Sequence, residues 1–164
     1  MTDEREIIKE LELLEHVETK RRRSNGIEYY VPNKHQLKAH QSKARFVLLC
    51  GANRIGKSTF GAVELTWHLT RRYPSWFPYE RRFRKPIKAV VVCLENPIVQ
   101  KVIEPKIKEY LPADYVGERG WKYVTGGYLS RILCKDGSCV DFLTNEQDDM
   151  AFEGSDYDFF WGDE

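Results

Sequence analysis

Hydrophobic residues near the start of the chain recur at helical spacing between charged residues, at positions Ile7, Ile8, Leu11, Leu14 and Val17. This pattern predicts an amphipathic helix from Thr2 to about Lys20. The basic residues that end it are followed by Ser24-Asn25-Gly26, and residues of this kind are typical of a turn. We therefore expect an N-terminal helix with a basic end over residues 1–23 and one domain over residues 24–164.

Three short apolar runs predict strands, because runs of this length are typical of a sheet that is covered on both faces. They are Arg45–Cys50, Ile87–Leu94 and Tyr157–Trp161. Helical periodicity follows the first two runs, from Ser58 to before Pro74 and from Val99 to Tyr110. The alternation predicts an α/β fold with a mainly parallel sheet and helices on both faces.

A hairpin is predicted in the second half of the chain. The runs Tyr128–Cys134 and Ser138–Leu143 flank Lys135-Asp136-Gly137. Because Asp-Gly between alternating runs is a strong signal for a tight turn, we expect the two runs to pair as antiparallel strands.

Composition places the chain among ordinary globular domains. Its 164 residues are 41% hydrophobic, which suffices for one core, and no stretch is apolar over the length of a membrane span. The charged start lacks the features of a secretion signal, so a cytoplasmic location is expected. The four histidines show no metal-ligand spacing: His16, His35, His40 and His68. The four cysteines show none either, and we expect them to be buried thiols: Cys50, Cys93, Cys134 and Cys139.

The clearest chemical signal is the segment Gly51-Ala52-Asn53-Arg54-Ile55-Gly56-Lys57-Ser58, between a predicted strand and a predicted helix. Two glycines, a lysine and a serine at this spacing form a phosphate-binding loop, whose backbone N–H groups point at phosphate oxygens. We expect Lys57 to reach the terminal phosphates of ATP and Ser58 to bind Mg²⁺, with Thr59 extending the nucleotide site. Arg54 either stabilises phosphate charge, which we favour, or points to solvent.

A pair of carboxylates, Asp163 and Glu164, follows the last apolar run. Phosphoryl transfer to water needs a carboxylate near Mg²⁺ and a base that orients the attacking water. We expect Asp163 to contact the metal and Glu164 to hold the water; the alternative is a charged chain end. The strand and hairpin between the loop and this pair suggest the additional-strand, catalytic-glutamate (ASCE) subclass of phosphate-loop ATPases.

Over most of its length the chain resembles the N-terminal ATPase domain of the large subunit of tailed-phage terminases. The phosphate loop, Gln36–Arg45 before it and Phe152–Asp158 before the acidic pair carry the resemblance. In that family a glutamine upstream of the loop recognises adenine, which implies this role for Gln36, or else for Gln41. The resemblance also implies ATP-driven translocation of double-stranded DNA into a procapsid, in the host cytoplasm. The machine would be a homo-oligomeric ring that works with a portal protein and a small terminase subunit.

Two features depart from the family pattern. Glu153 stands where many relatives carry arginine or glutamine, so no arginine finger is assigned within the chain and a neighbouring subunit is the expected donor. The sequence ends at Glu164, before the family's coupling motif, lid subdomain and nuclease domain, so we expect nucleotide binding to survive better than turnover. A helicase-like or repair ATPase and a nucleotide-binding module without turnover stay open as alternatives.

Two basic segments are candidates for contact with DNA. From Arg71 to Lys88, basic residues alternate with aromatic ones, which suits phosphate contact and base stacking. The same composition suits a loop that is anchored by its aromatic side chains. The run Lys20–Arg23 is either a second contact or a solvated helix end whose charge complements the helix dipole.

Overall fold

A computed structural model describes residues 4–52, 54–145 and 156–163 of the chain. Its α-helices are α1 (Glu4–Ser24), α2 (Lys34–His40), α3 (Lys57–Thr70), α4 (Asn96–Ile98) and α5 (Glu104–Tyr110). Its strands are β1 (Lys88–Cys93), β2 (Val116–Tyr123), β3 (Leu129–Cys134), β4 (Cys139–Thr144) and β5 (Phe159–Gly162). Short 3-10 helices cover Gly26–Tyr29 and Tyr79–Arg81, and a π-helical stretch covers Val99–Ile103. The fold is α/β, as predicted.

The strands form one mixed sheet in the order β2-β3-β4-β1-β5. Strand β1 lies parallel between β4 and β5, so that Val91 is opposite Phe142 on one side and Trp161 on the other. Strand β3 pairs antiparallel with both β2 and β4. The parallel arrangement expected from the sequence is therefore found where β4, β1 and β5 meet, and antiparallel strands extend the sheet beyond β4.

The predicted hairpin joins β3 to β4 through a turn at Asp136-Gly137, where Gly137 has a φ of 91°. Strand β2 was not predicted. Its buried positions, Val116 and Gly120, lie four residues apart, and its register with β3 shifts between Val116 and Trp121. Such a bulged strand lacks the period of two by which strands are recognised in a sequence.

The helices pack on one another and on a single face of the sheet. Alternate residues of β1, namely Ala89, Val91 and Cys93, join a core that also contains buried residues of α3 and α5. On the opposite face, Val90 at the centre of the sheet is buried, whereas Phe160 on the edge strand is 66% exposed. Within the described ranges, the core that contains α3 and α5 lies on the face of Val91.

Both helices predicted after apolar runs are present. Helix α3 ends where Arg71 adopts a left-handed conformation, with a φ of 57°. The second helix begins earlier than predicted, at Asn96 with Pro97 in its first turn, and continues through the π-helical stretch into α5. Proline suits this position because the first turn of a helix leaves its N–H groups unpaired.

The strand predicted over Arg45–Cys50 is wrong. The segment has no regular structure, and the side chains of Phe46 and Leu48 are 88% and 87% exposed. Strand β5 is the edge of the sheet and pairs with β1 alone. An apolar run becomes a strand only where a neighbouring strand pairs with its backbone N–H and C=O groups, and the described residues place no strand beside this one.

Helix α1 ends at Ser24, about one turn beyond the end predicted near Lys20. Immediately after it, Gly26 packs so closely on α5 that a Cβ there would overlap the carbonyl oxygen of Glu109. The backbone N–H of Ala113 donates to the carbonyl of Ser24 at 3.4 Å. None of the helices described here is both long and apolar enough to span a membrane.

Candidate functional site

Of the two flanks expected for the motif, one is found: the glycine loop leads directly into α3, whereas the strand expected before it does not form. Gly56 is the residue before the helix and has a φ of 89°, a conformation that costs glycine little because it has no Cβ. Arg54 also has a positive φ, of 68°, and its side chain is exposed. Residues Gly51, Ala52 and Ile55 are exposed as well, and Asn53 lies outside the described residues. The loop is thus a turn on the surface at the N-terminus of a fourteen-residue helix, where partial positive charge favours anions.

Lys57 closes the loop on itself. Its Nζ donates a hydrogen bond of 2.9 Å to the carbonyl oxygen of Gly51, so the ammonium lies across the turn instead of extending away from it. A Cβ at Gly51 would overlap the end of the exposed Ile55 side chain, which would have to move aside. The lysine charge is therefore held over the same turn whose glycines and helix terminus suit a phosphate group.

Ser58 and Asp163 meet at the start of α3 and the end of β5. The Ser58 hydroxyl donates to one carboxylate oxygen of Asp163 at 2.9 Å and lies 3.3 Å from the other. Asp163 is held in place because its own N–H donates to the carbonyl of Val92 at 2.9 Å. The carboxylate is also close to Cys93: burial, together with the charge of Asp163, raises the pKa of that thiol to about 12.

A close approach of helix to strand brings these two residues together. Gly61 lies one turn after Ser58 on α3, and a Cβ there would overlap the indole ring of Trp161, two residues before Asp163. Trp161 is buried, so the ring has little freedom to move aside. A glycine at position 61 therefore allows α3 to lie close to β5, and this close approach sets the distance between Ser58 and Asp163.

Gln36 is buried and binds the loop from the side of α2. Its side-chain oxygen accepts from the backbone N–H of Asn33 at 2.9 Å, in a capping box at the start of α2. Its Nε2 donates to the carbonyl of Gly56 at 2.9 Å. The amide oxygen can accept one more hydrogen bond and the amide nitrogen can donate one more, so the side chain is able to contact a ligand while it holds the loop. Gln41, the second candidate, is an exposed residue at the end of α2.

A cavity of about 430 Å³ adjoins this part of the loop. Its lining includes Gln36, Thr59, Arg22 and the two tyrosines Tyr29 and Tyr30. The volume is within the usual range for small-molecule sites. The cavity is thus a candidate site for the part of a ligand that extends beyond the phosphate loop.

A buried polar network, which was not predicted from the sequence, holds the C-terminal end of α2 in place. Glu64 of α3 is 2% exposed and accepts a hydrogen bond of 2.8 Å from Nδ1 of His40, the last residue of α2. Arg81 forms an ion pair with the second oxygen of Glu64, and Nε2 of His68 lies 3.6 Å from that oxygen. Helix α2 is consequently tied to α3 at its end by His40 and to the loop at its start by Gln36.

The hydrogen-bonding partners of the two histidines indicate the protonation state of each ring. Nε2 of His40 lies 3.0 Å from the hydroxyl of Tyr30, and Nδ1 of His68 lies 3.0 Å from the hydroxyl of Tyr73. Burial lowers the pKa of both histidines, although the neighbouring Glu64 acts to raise it. A neutral His40 donates to the carboxylate through Nδ1 and accepts from Tyr30 through Nε2. A neutral His68 accepts from Tyr73 through Nδ1 and presents Nε2 to the carboxylate at 3.6 Å.

Glu64 stays ionised inside this network. Burial alone would raise its pKa, but the hydrogen bonds from His40 and His68 and the charge of Arg81 outweigh burial and lower the pKa to about 2. One carboxylate thus balances one guanidinium in the interior. No sequence pattern marks this set, because its members come from α2, α3 and a 3-10 helix.

The basic and aromatic stretch from Arg71 to Lys88 is largely tied to the domain. Arg71 pairs with Asp136 of the hairpin turn, and Arg81 pairs with Glu64. Arg82 donates to backbone carbonyls, including that of Phe77, whose ring is 2% exposed. These contacts favour the anchored loop over DNA contact for the three arginines, and DNA contact by the rest of the stretch stays a prediction.

Several predicted residues lie outside the described ranges, among them Glu164 and the segment from Phe152 to Ser155. Of the cysteines, Cys93 and Cys134 are buried as expected, whereas Cys50 is exposed because the strand predicted around it does not form. Among the residues that the structure describes, no three His, Cys, Asp or Glu side chains gather as a metal site. A hydroxyl and one carboxylate would instead suit a cation that takes its other ligands from phosphate and water.

Comparison of the chain with protein families, curated proteins and solved structures finds no match. A function for the chain is therefore argued from the glycine loop, from the contact of Ser58 with Asp163, and from the contacts of Gln36 and Gly61 that hold these residues in place.

Proposed function

We propose that the chain binds ATP as its Mg²⁺ complex at Gly51–Ser58 and hydrolyses it as a phosphate-loop ATPase. The observation that carries the proposal is the 2.9 Å hydrogen bond from Ser58 to Asp163. It joins the last residue of a glycine loop motif to an acid at the end of a strand, 105 positions later. Hydroxyl and carboxylate oxygens are the ligands Mg²⁺ prefers when it bridges phosphates.

Each residue of the loop has a distinct role in this proposal. Lys57 donates to the neutral carbonyl oxygen of Gly51, and a phosphate would offer it a charged acceptor, which forms a stronger hydrogen bond. Ser58 and Asp163 would hold the metal, which supplies positive charge between the phosphate groups. Glu164 would orient the attacking water, and Arg54 would stabilise the negative charge that develops on the phosphates.

The nucleoside end is proposed to occupy the adjoining cavity of about 430 Å³. Gln36 lines this cavity and hydrogen-bonds Gly56, so it lies between the phosphate loop and the space beside it. A side-chain amide pairs with adenine by donating to a ring nitrogen and accepting from the exocyclic amine. Gln36 keeps one free position on each amide atom for this purpose.

The wider role that we propose follows from the resemblance to terminase large subunits and not from the geometry. It is the ATP-driven movement of double-stranded DNA into a procapsid, in the cytoplasm of an infected host. The core would be of the ASCE type, and the active form a homo-oligomeric ring with portal and small terminase subunits as partners. Stimulation of turnover by procapsids that carry a portal would support this role, and stimulation by single-stranded DNA alone would favour the helicase-like alternative.

Binding is tested by titrating a fluorescent ATP analogue into the wild-type chain and into Lys57→Ala, with Mg²⁺ present. A charged hydrogen bond contributes about 1.5–3 kcal/mol, so the dissociation constant should rise by about ten- to hundredfold. Lys101→Ala removes an exposed lysine from the π-helical stretch and serves as the control with unchanged affinity. Equal affinities of Lys57→Ala and wild type would contradict the proposed site.

A nucleotide-binding module without turnover is the second candidate, favoured by one observation. The segment Arg45–Cys50, which leads into the loop, is largely exposed and lies outside the sheet, so among the described residues the loop is held through α3, α2 and the contact of Ser58 with Asp163, without a preceding strand. Turnover of the wild type beside Glu164→Gln separates the two candidates. A lower rate for the variant supports hydrolysis, whereas equal and negligible rates with tight binding support the module.

A further inference from the structure

Helix α1 presents an apolar stripe that the rest of the described chain does not cover. Along the helix, Ile7, Leu11 and Leu14 recur at the spacing that places them on one face, and they are 46%, 55% and 59% exposed. Ile8 and Val17 border this stripe and are also exposed. A helix of 21 residues is about 31 Å long, so this is a long surface for a small domain to leave in water.

The contacts that tie α1 to the domain lie at its C-terminal end. The guanidinium of Arg22 lies 5.2 Å from the centre of the Tyr29 ring, and Ser24 accepts a hydrogen bond from Ala113. The stripe itself begins four turns earlier, at Ile7. An apolar helix face held away from its own domain is suited to packing against another helix.

Charge is divided along α1 in a way that defines the partner. Residues 4–18 contain six glutamates against one arginine and one lysine, a net charge of −4, whereas Lys20–Arg23 carries +4. The two parts of the helix are therefore opposite and equal in charge. A second copy that lies antiparallel places each basic end beside the other copy's acidic part, and a parallel copy would oppose like charges.

Other occupants fit this charge pattern less well. Helices that lie on membranes carry basic residues beside their apolar face, but here the apolar stripe is flanked by glutamates such as Glu10 and Glu15, which anionic lipids repel. Nucleic acid is repelled by the same residues. A partner must offer an apolar face together with both signs of charge, and α1 of a second chain offers them in reverse order.

We propose that two copies of the chain associate through α1 as an antiparallel helix pair. Leu11 of one copy packs beside Leu14 of the other at the centre, and Arg21 of each lies close to Glu6 of the other. The apolar stripe supplies the association free energy, and the charges select the antiparallel direction. This contact is independent of the proposed nucleotide site.

Sedimentation equilibrium of the full chain, from micromolar to millimolar concentration at low salt, tests the association. The wild type should form dimers, and Leu11→Gln/Leu14→Gln should raise the dimer dissociation constant by about tenfold or more, since each buried leucine contributes about 1.5–3 kcal/mol. Glutamine keeps helix propensity and adds no charge. His16→Gln on the opposite face is the matched control, and circular dichroism checks that every variant stays folded.

The direction is tested by two charge-reversal variants. Lys20→Glu/Arg21→Glu changes the net charge of residues 20–23 from +4 to zero, and Glu6→Lys/Glu10→Lys changes that of residues 4–18 from −4 to zero. In an antiparallel pair each variant alone should dimerise several-fold more weakly than wild type, and an equal mixture of the two should regain heterodimers.

Three results would overturn the proposal. The first is a monomeric wild type over the whole concentration range, and the second is dimerisation that Leu11→Gln/Leu14→Gln leaves unchanged. The third is undiminished dimerisation of Lys20→Glu/Arg21→Glu, which would indicate a parallel pair. After the first result, binding of the monomeric wild type to vesicles of anionic phospholipid would assign the stripe to a membrane surface instead.

Discussion

The hydroxyl of Ser58, at the start of α3, donates a 2.9 Å hydrogen bond to the carboxylate of Asp163, just beyond the end of β5. The two residues belong to motifs that the sequence separates by nearly two thirds of its length. Their contact places a hydroxyl and a carboxylate, oxygens of the kind that Mg²⁺ prefers, directly beside a loop whose sequence matches a phosphate-binding motif.

Removing either partner should make nucleotide binding insensitive to magnesium. For Asp163→Asn and for Ser58→Ala we expect the enhancement of ATP-analogue affinity by Mg²⁺ to disappear, while binding without metal persists through Lys57 and the loop. Titrations with and without Mg²⁺ measure both quantities. Asp158→Asn, on an exposed residue before β5, should retain the full enhancement; a similar enhancement in Asp163→Asn would exclude this aspartate as a metal ligand.

The close packing of Gly61 on Trp161 should be necessary for the same geometry. In Gly61→Ala the new methyl group overlaps the indole ring, so α3 must move away from β5 and separate Ser58 from Asp163. We expect lower stability, by about 1–3 kcal/mol, and a smaller effect of Mg²⁺ on nucleotide affinity. Chemical denaturation and the metal titration measure these effects.

A compensating change distinguishes crowding from a general loss of stability. Trp161→Leu makes room beside residue 61, so the double variant Gly61→Ala/Trp161→Leu should recover part of the magnesium effect that Gly61→Ala loses. If the double variant shows only the sum of the two single losses, the packing does not control the distance between Ser58 and Asp163.

Gln36 should act on both the loop and the base. Gln36→Ala removes the hydrogen bond to Gly56 and the capping box of α2, so we expect weaker binding of ATP and GTP alike. The loss should be larger for ATP, by about tenfold for one good hydrogen-bond pair, if the amide also contacts adenine. Gln41→Ala, on an exposed glutamine at the end of the same helix, is the matched control, and equal losses for the two nucleotides would exclude recognition of the base by Gln36.

Acid should destabilise the chain in two steps through the network around Glu64. The pKa values of His40 and His68 are below their usual 6.5, so the unfolded chain takes up protons first and stability falls as the pH drops below about 6.5. The pKa of Glu64 is lowered to about 2, so stability falls further between its usual value of 4.5 and about 2. Urea denaturation from pH 7.5 to pH 2 measures both steps.

Variants of the network identify which groups are responsible. The double variant His40→Gln/His68→Gln should flatten the step near pH 6.5, whereas His16→Gln, on exposed α1, should leave it intact. Glu64→Gln leaves the guanidinium of Arg81 without its charge partner and should lower the free energy of unfolding by about 3–5 kcal/mol. A pH profile that the double histidine variant leaves unchanged would place the titrating groups elsewhere.

Local patterns in the sequence were sufficient for much of the fold. Helix α3, strands β1 and β5 and the β3–β4 hairpin follow from periodicity and from turn residues such as Asp136-Gly137. Strand β2 was missed because its bulge removes the alternation of buried and exposed residues. The run Arg45–Cys50 has the composition of a strand, but a strand also needs a neighbour, and composition does not report whether one is present.

By itself the sequence marked Gly51–Ser58 as a candidate phosphate loop, since its glycines, lysine and serine lie within eight residues and act through local backbone geometry. It also named Asp163 and Gln36 as candidates. Only the tertiary structure decided that Asp163 reaches Ser58, that Gln36 holds Gly56, and that His40, Glu64 and Arg81 form one buried network. The reason is that these contacts join residues far apart in the chain, and their formation depends on how helices and strands pack and not on the order of residues within any one of them.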